Sequence, residues 1–320
     1  MAKVVTFGGG TGTFVVLRAL KTIEDVSLTA IVSGADDGGS TGQLRDAYGF
    51  LPAGDVRQAL VALSEDDTTL RELFAYRFGK GNVSGHNLGN LFLTALTDIL
   101  GSNTLAIEEA SRILRIGGRV VCSTDTPATL VATLEDGTSI RGEHYIDERE
   151  NDRSKISRLA YEQPLPFSSG AEEAVRGATH IFVGPGDLYT STIASLLATG
   201  TQDAIMKSNA TVVYVLNLFT KAGQTTGYTA QDHIETLAYY MGRTPDVVIL
   251  HTGTFTKDVL DRYASEGEYP VVDDLASDTS VIRADIASVS RVPAVEGDPV
   301  PRSLVRHDSE KLATVCKTIL

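Results

Sequence analysis

A chain of 320 residues, 42% hydrophobic and 22% charged, has the length of one large α/β domain and the composition of an ordinary soluble globule. Its 28 basic and 41 acidic side chains give a net charge of −13, which argues against a broad nucleic-acid surface and against anionic membranes. No apolar run reaches the roughly 20 residues that span a bilayer. Cys122 and Cys316 make neither a disulfide framework nor a zinc site, so a reduced, cytoplasmic setting is expected.

The apolar run Val4-Val5-Thr6-Phe7 breaks into Gly8-Gly9-Gly10-Thr11-Gly12-Thr13, and helical spacing resumes from Phe14. This reads as a buried strand, a tight turn and a helix start. Glycines let the backbone approach a ligand closely, and the unpaired N–H groups of a first helical turn favour a phosphate. The pattern falls short of a dinucleotide fingerprint, because Thr13 and Val15 stand where a third glycine would be. A plain βα turn is the alternative. Val26–Val32 reads as a second strand and completes a right-handed βαβ unit. It runs into a second glycine loop, Ser33-Gly34-Ala35-Asp36-Asp37-Gly38-Gly39-Ser40-Thr41-Gly42. An acid at the end of such a strand suits a ribose hydroxyl or a bound cation, and Asp36 and Asp37 sit there. A simple Asx-turn cluster is the competing reading.

Asp55, in Pro52-Ala53-Gly54-Asp55-Val56-Arg57, is placed to cap a helix that runs to Leu63. Arg45 and Arg57 flank this loop and suit either a diphosphate or surface carboxylates. Ser84-Gly85-His86-Asn87-Leu88-Gly89-Asn90 leads into a strongly apolar helix. His86 and Asn90 are four apart, so they would share a face of its first turn and line a pocket, or merely cap the helix. Another helix is predicted over about 104–114. Residues ~118 to ~165 then read as a small β-rich excursion, with Glu135-Asp136-Gly137-Thr138 as a hairpin turn.

The α/β rhythm returns with a strand at 178–183 that ends in Gly184-Pro185-Gly186-Asp187-Leu188-Tyr189-Thr190-Ser191, again a glycine turn and a helix start. Strands at 211–216 and 247–250 run out into Asn217-Leu218-Phe219-Thr220-Lys221 and His251-Thr252-Gly253-Thr254. Helices are predicted near 229–241 and 255–264. The chain ends in a short helix through Leu320, capped by Asp308 or Ser309 and preceded by Arg306. A phosphate added to Ser309 would meet that helix dipole favourably. Five predicted parallel strands thus end in glycine or polar residues, and that edge is where open α/β sheets bind ligands. The whole chain, 1–320, is expected to form a single α/β domain.

Six stretches occur in the order seen in the YvcK-like branch of the CofD family, the proteins called gluconeogenesis factors. They are Thr6 to Thr13, Gly34 to Gly42 with Gln43-Leu44-Arg45, Pro52 to Arg57, Gly85 to Leu91, Gly184 to Ser191 and Arg306 to Ser309. The likeness covers nearly the whole chain. Ser33-Gly34 ahead of the acid pair and Lys221-Ala222-Gly223-Gln224 depart from the family's usual pattern. The resemblance implies a Rossmann-like three-layer sandwich with a mainly parallel sheet. It also implies a regulator that binds a nucleotide sugar of the UDP-N-acetylglucosamine type and links gluconeogenic growth to cell-envelope precursor synthesis and cell shape. An enzyme of amino-sugar synthesis would be its regulated partner, and the chain would form a homo-oligomer.

On this reading Gly8, Gly9, Gly10, Thr11, Gly12 and Thr13 contact the diphosphate together with Gly186, Tyr189 and Thr190. Asp36 or Asp37 meets a ribose or sugar hydroxyl, and Arg306 adds an anion contact. Ser40, Thr41, Arg45, Asn90, Gly184 and Asn217 complete the expected set. The same family contains a Mg²⁺-dependent transferase that moves a phospholactyl group onto a deazaflavin. In that alternative Asp36, Asp37 and His86 are the catalytic candidates, and Asp36 and Asp37 would hold the metal. A nicotinamide oxidoreductase with an NAD-like dinucleotide is a third reading, disfavoured by the incomplete glycine fingerprint.

Overall fold

The computed structural model describes residues 1–65, 69–149, 154–277, 280–289 and 305–320, without the side chains of 39, 40 and 45–47. In chain order the first half comprises β1 (Ala2–Phe7), α1 (Gly10–Lys21), β2 (Val26–Val32), α2 (Gly39–Tyr48), α3 (Ala53–Leu63), α4 (Thr69–Ala75), α5 (Leu88–Leu100), α6 (Asn103–Ile113) and β3 (Arg119–Cys122). A small insertion follows: β4 (Leu130–Leu134), β5 (Ser139–Arg141), α7 (Glu143–Asp147) and β6 (Ile156–Tyr161). The second half comprises α8 (Ser169–Gly177), β7 (His180–Val183), α9 (Thr201–Lys207), β8 (Thr211–Val215), α10 (Ala230–Met241), β9 (Val247–His251), α11 (Lys257–Ser265), β10 (Val281–Ala284), β11 (Ala287–Val289), β12 (Val305–His307) and α12 (Ser309–Cys316). Among the described residues no helix is long and apolar enough to cross a membrane.

The main sheet has seven strands in the order β10-β9-β8-β7-β1-β2-β3, and every pair in it is parallel. Such strands are apolar on both faces because helices cover both sides. Val5, Ile181, Val212 and Val248 pack with the insertion, α8, α9 and α10. Their neighbours Val4, Phe182, Val213 and Ile249 pack with α1, α3, α5, α6 and α12. This is the expected Rossmann-like three-layer α/β arrangement.

Two strands of the sheet differ from the sequence reading. Arg119–Cys122, read as the start of the β excursion, pairs with β2 and forms one edge of the main sheet. Val281–Ala284 forms the other edge beside β9. The antiparallel insertion is therefore β5-β4-β6 alone. Its predicted hairpin turn is present, with Thr138 N–H donating to Asp136 Oδ1 at 2.8 Å. The second glycine loop also differs, since its last residues, from Gly39, open α2. After β7 the chain makes a wide helical turn at Leu188–Thr192 and a tighter one at Ile193–Leu196, where a regular helix was expected.

Candidate functional site

Parallel pairing sends the loops after β1, β2, β7, β8 and β9 to a single edge, and the strand order reverses between β1 and β7. At that reversal the two glycine loops pack against each other. A Cβ on Gly12 would collide with the Pro185 carbonyl oxygen, and one on Gly8 would lie 4.0 Å from the Gly184 Cα. The N-cap of α1 is Gly9, which has no side chain to offer the first turn. The Thr13 hydroxyl, in the first turn, is buried and has no hydrogen-bond partner among the described residues. Asn217, beyond β8, steadies the β7 loop by donating from Nδ2 to the Gly186 carbonyl at 2.6 Å.

One N–H of the β1 loop is already engaged, because Asp55 Oδ1 accepts from Gly10 at 2.8 Å. Asp55 does not cap α3 as expected. Pro52 occupies the cap position with φ −63°, which starts the helix without help and leaves the Asp55 carboxylate for this tertiary contact. Asp36 and Asp37 diverge. Asp36 accepts from Gly38 N–H at 3.0 Å. Asp37 caps α7 by accepting from Glu143 N–H (3.1 Å) and His144 N–H (2.8 Å), while its own N–H donates to the Glu143 carboxylate at 3.2 Å. The two carboxylates therefore serve different N–H groups. Among the described residues no three His, Cys, Asp or Glu side chains are arranged to hold a metal ion.

These contacts gather Asp36, Asp55 and Glu143 into one half-buried group. Burial raises all three carboxyl pKa values. Asp55 rises to about 7 with repulsion from Asp36 adding to burial, and Glu143 feels both Asp36 and Asp55. On the β7 side Asp187 also rises to about 7, through burial and then the charge of Asp147. There Lys221 supplies a counter-charge. Burial would lower its pKa, but Asp187, Asp147 and Glu268 hold it above its usual value, and its Nζ lies 3.5 Å from Glu268. Gln224 joins this side together: Nε2 donates to Asp147 (2.8 Å) and to the Thr190 hydroxyl (3.1 Å), and Oε1 accepts from Tyr189 N–H (3.3 Å). The short helix α7, with Glu143 and Asp147 four apart, thus spans from one side to the other.

Other predicted residues take supporting places. Asn90 is buried, accepts from Arg57 Nε at 3.0 Å and donates to the Thr41 hydroxyl at 3.3 Å, so Arg57 is braced by Asn90 at this loop. His86 does not share a helical face with Asn90. Asn87 caps α5, which starts at Leu88, and His86 stays in the preceding loop with its backbone tied to Phe78 and Val83. The Tyr189 hydroxyl is spent in the core, on Tyr228 (2.9 Å) and the Ile156 carbonyl (3.2 Å), leaving its main chain at the loop. Arg306 lies opposite Ser288 in the β11–β12 ribbon, and its neighbour His307 reaches the Leu216 carbonyl at the end of β8 (3.1 Å). Asp308 caps α12 as predicted. The side chains of Ser40 and Arg45 lie outside the described residues.

Glu143, Asp147, Asp187, Lys221 and Gln224 are the residues that sequence reasoning did not single out. Asp187 had a local signal, since it directly follows Gly184-Pro185-Gly186. Glu143 had none, because its partner Asp37 is 106 residues away.

Comparison with known proteins gives a consistent picture. The family model described as 2-phospho-L-lactate transferase CofD matches residues 4–290. A gluconeogenesis factor from Halalkalibacterium halodurans is 40% identical over 315 residues, covering 97% of this chain and 94% of that protein. The gluconeogenesis factor of Bacillus subtilis is 37% identical over 326 residues, covering 99% and 98%. A crystal structure of a UPF0052 family member from Bacillus halodurans superposes with a TM-score of 0.89 at 37% identity, covering 98% of this chain and 99% of that one.

Proposed function

Because this chain belongs to the CofD family, we propose that it is a regulator of the gluconeogenesis-factor kind that binds a nucleotide sugar of the UDP-N-acetylglucosamine type between its β1 and β7 loops. The observation that carries this reading is the packing of two glycine loops at the strand reversal, beside a buried Thr13 hydroxyl that has no hydrogen-bond partner among the described residues. Loop N–H groups suit a diphosphate. The surrounding carboxylates would repel a bare phosphate, but they accept hydrogen bonds from ribose and sugar hydroxyls. A nucleotide sugar carries both kinds of group. The proposal includes a homo-oligomer in the cytoplasm, an enzyme of amino-sugar synthesis as the regulated partner, and an influence on cell-envelope precursors and cell shape.

Calorimetry with UDP-N-acetylglucosamine is expected to give saturable heat at sub-millimolar ligand, weakened at least tenfold by Thr13→Val. No heat from the unmodified chain removes the reading. The family model's transferase description supports a second reading, group transfer from a nucleoside-diphosphate donor. In that reading Asp36 and Asp37, which now accept from separate N–H groups, would be the residues to hold Mg²⁺. Phosphorus NMR with a phospholactyl donor and a deazaflavin acceptor decides: product that is lost in Asp37→Asn selects the transferase.

A further inference from the structure

The helix that starts in the crevice also lines a second concavity. A cavity of about 270 Å³ opens along the later turns of α1, against the end of α3, α4 and the start of α12. Arg18, Lys21 and Arg71 line it together with Ser309, Glu65 and Glu310. Three cations converge here although the chain carries a net charge of −13. The Lys21 ammonium donates to the Ser64 carbonyl at the cavity wall, and the Arg18 guanidinium lies 5.9 Å over the Phe14 ring, so both heads are positioned by the fold. The α12 terminus is capped internally, Asp308 accepting from Glu310 N–H (2.9 Å) and Lys311 N–H (3.1 Å). Recognition in this cavity therefore falls to side chains.

Guanidinium and ammonium groups pair with phosphate oxygens. Carboxylates and a serine hydroxyl take hydrogen bonds from sugar or polyol hydroxyls. Among the described residues the lining mixes three cations with two acids, which fits one molecule bearing both functions, where a purely cationic lining would fit a simple anion. The volume lies just below the range usual for ligand sites, which begins near roughly 300 Å³, and suits a small ligand. We propose that this cavity is a second ligand site, selective for a small phosphate ester of a polyol such as a triose, pentose or hexose phosphate. It is separate from the crevice: Lys21 lies about 16 Å along the α1 axis from Gly10, at 1.5 Å per residue.

The test is calorimetry on the full chain with glycerol 3-phosphate, ribose 5-phosphate and glucose 6-phosphate, repeated with UDP-N-acetylglucosamine present. At least one ester is expected to bind saturably at millimolar concentration or below. Inorganic phosphate should bind at least tenfold more weakly, and glycerol, ribose and glucose should give no heat. The double variant Arg18→Gln, Arg71→Gln should weaken ester binding at least tenfold while leaving the heat of UDP-N-acetylglucosamine unchanged; Lys21→Gln takes its place if the double variant does not fold. No saturable ester binding, equal affinity for inorganic phosphate, undiminished binding in the variant, or competition by the nucleotide sugar would each overturn the proposal. The ester titrations stand whether or not the nucleotide sugar binds, so the two readings fail separately.

Discussion

The two sides of the paired glycine loops each hold half-buried acids and set different cations beside them. On the β1–β2 side Asp36, Asp55 and Glu143 lie together, and Arg57, whose charge eases Asp55, is braced by Asn90. On the β7–β8 side Asp187 and Asp147 act on Lys221, which also has Glu268 beside it. A buried charge is tolerated when paired and costly when it is not. The first side therefore sets one arginine, Arg57, beside three clustered acids, whereas the second sets Lys221 among Asp187, Asp147 and Glu268.

The change expected to disturb both sides most is Gly12→Ala. Its methyl group would run into the Pro185 carbonyl oxygen and lie 3.1 Å from the Gly186 nitrogen, both main-chain atoms that cannot rotate away. The glycine loops would have to part, at about 3 kcal/mol by the usual cost of overpacking and strain. Urea denaturation should show that loss, and affinity for the nucleotide sugar should fall more than a hundredfold. A variant with unchanged stability would mean that the loops are not in contact, and the comparison would lose its basis.

Local signals made the centre of this architecture legible, and their absence hid its edges. Val4 to Phe7 and 211–216 are unbroken apolar runs that end in glycine or asparagine, as strands buried on both faces must be. Val281–Ala284 is short and carries Arg283, since an edge strand meets solvent on one side. The glycine loops could be read because each is contiguous in sequence. The acid group could not, because Asp36, Asp55 and Glu143 meet only after the sheet and its insertion have folded. His86 was misplaced because α5 begins only at Leu88, behind an Asn87 cap whose side chain accepts from Gly89 N–H at 2.9 Å, so His86 precedes its first turn.

Proton linkage sharpens the comparison next. The Asp55 carboxyl sits at about 7 in the folded chain against an ordinary 3.8, and Asp187 does the same. Between those values the folded state holds a proton that the unfolded state has released. Stability contributed by each group is therefore present below about pH 4 and is lost as pH rises toward about 7. Thermal unfolding followed from about pH 5 to 8 should show a falling midpoint. Asp55→Asn should flatten that fall and raise the midpoint at the alkaline end. Asp187→Asn should do so less, because it also takes a partner from Lys221. An unchanged slope in Asp55→Asn would show that this carboxyl is hydrated and that the two sides are alike.

The smallest effect belongs to the element that joins the sides. At one end of α7 the Asp37 carboxylate holds two N–H groups, and at the other Gln224 holds Asp147. Gln224→Ala removes the bonds to Asp147, Thr190 and Tyr189 N–H, and should cost about 1–2 kcal/mol. Because the Asp37 contacts remain, α7 should stay in place and loosen only locally. Hydrogen exchange of the amides in 143–147 should quicken while those of β4 and β6 keep their rates. If β4 and β6 quicken equally, α7 and the three-stranded insertion open as one unit. Gln224 would then anchor the whole insertion to the β7–β8 side, and the crevice would be bounded by a sheet held at one point in place of a short helix held at two.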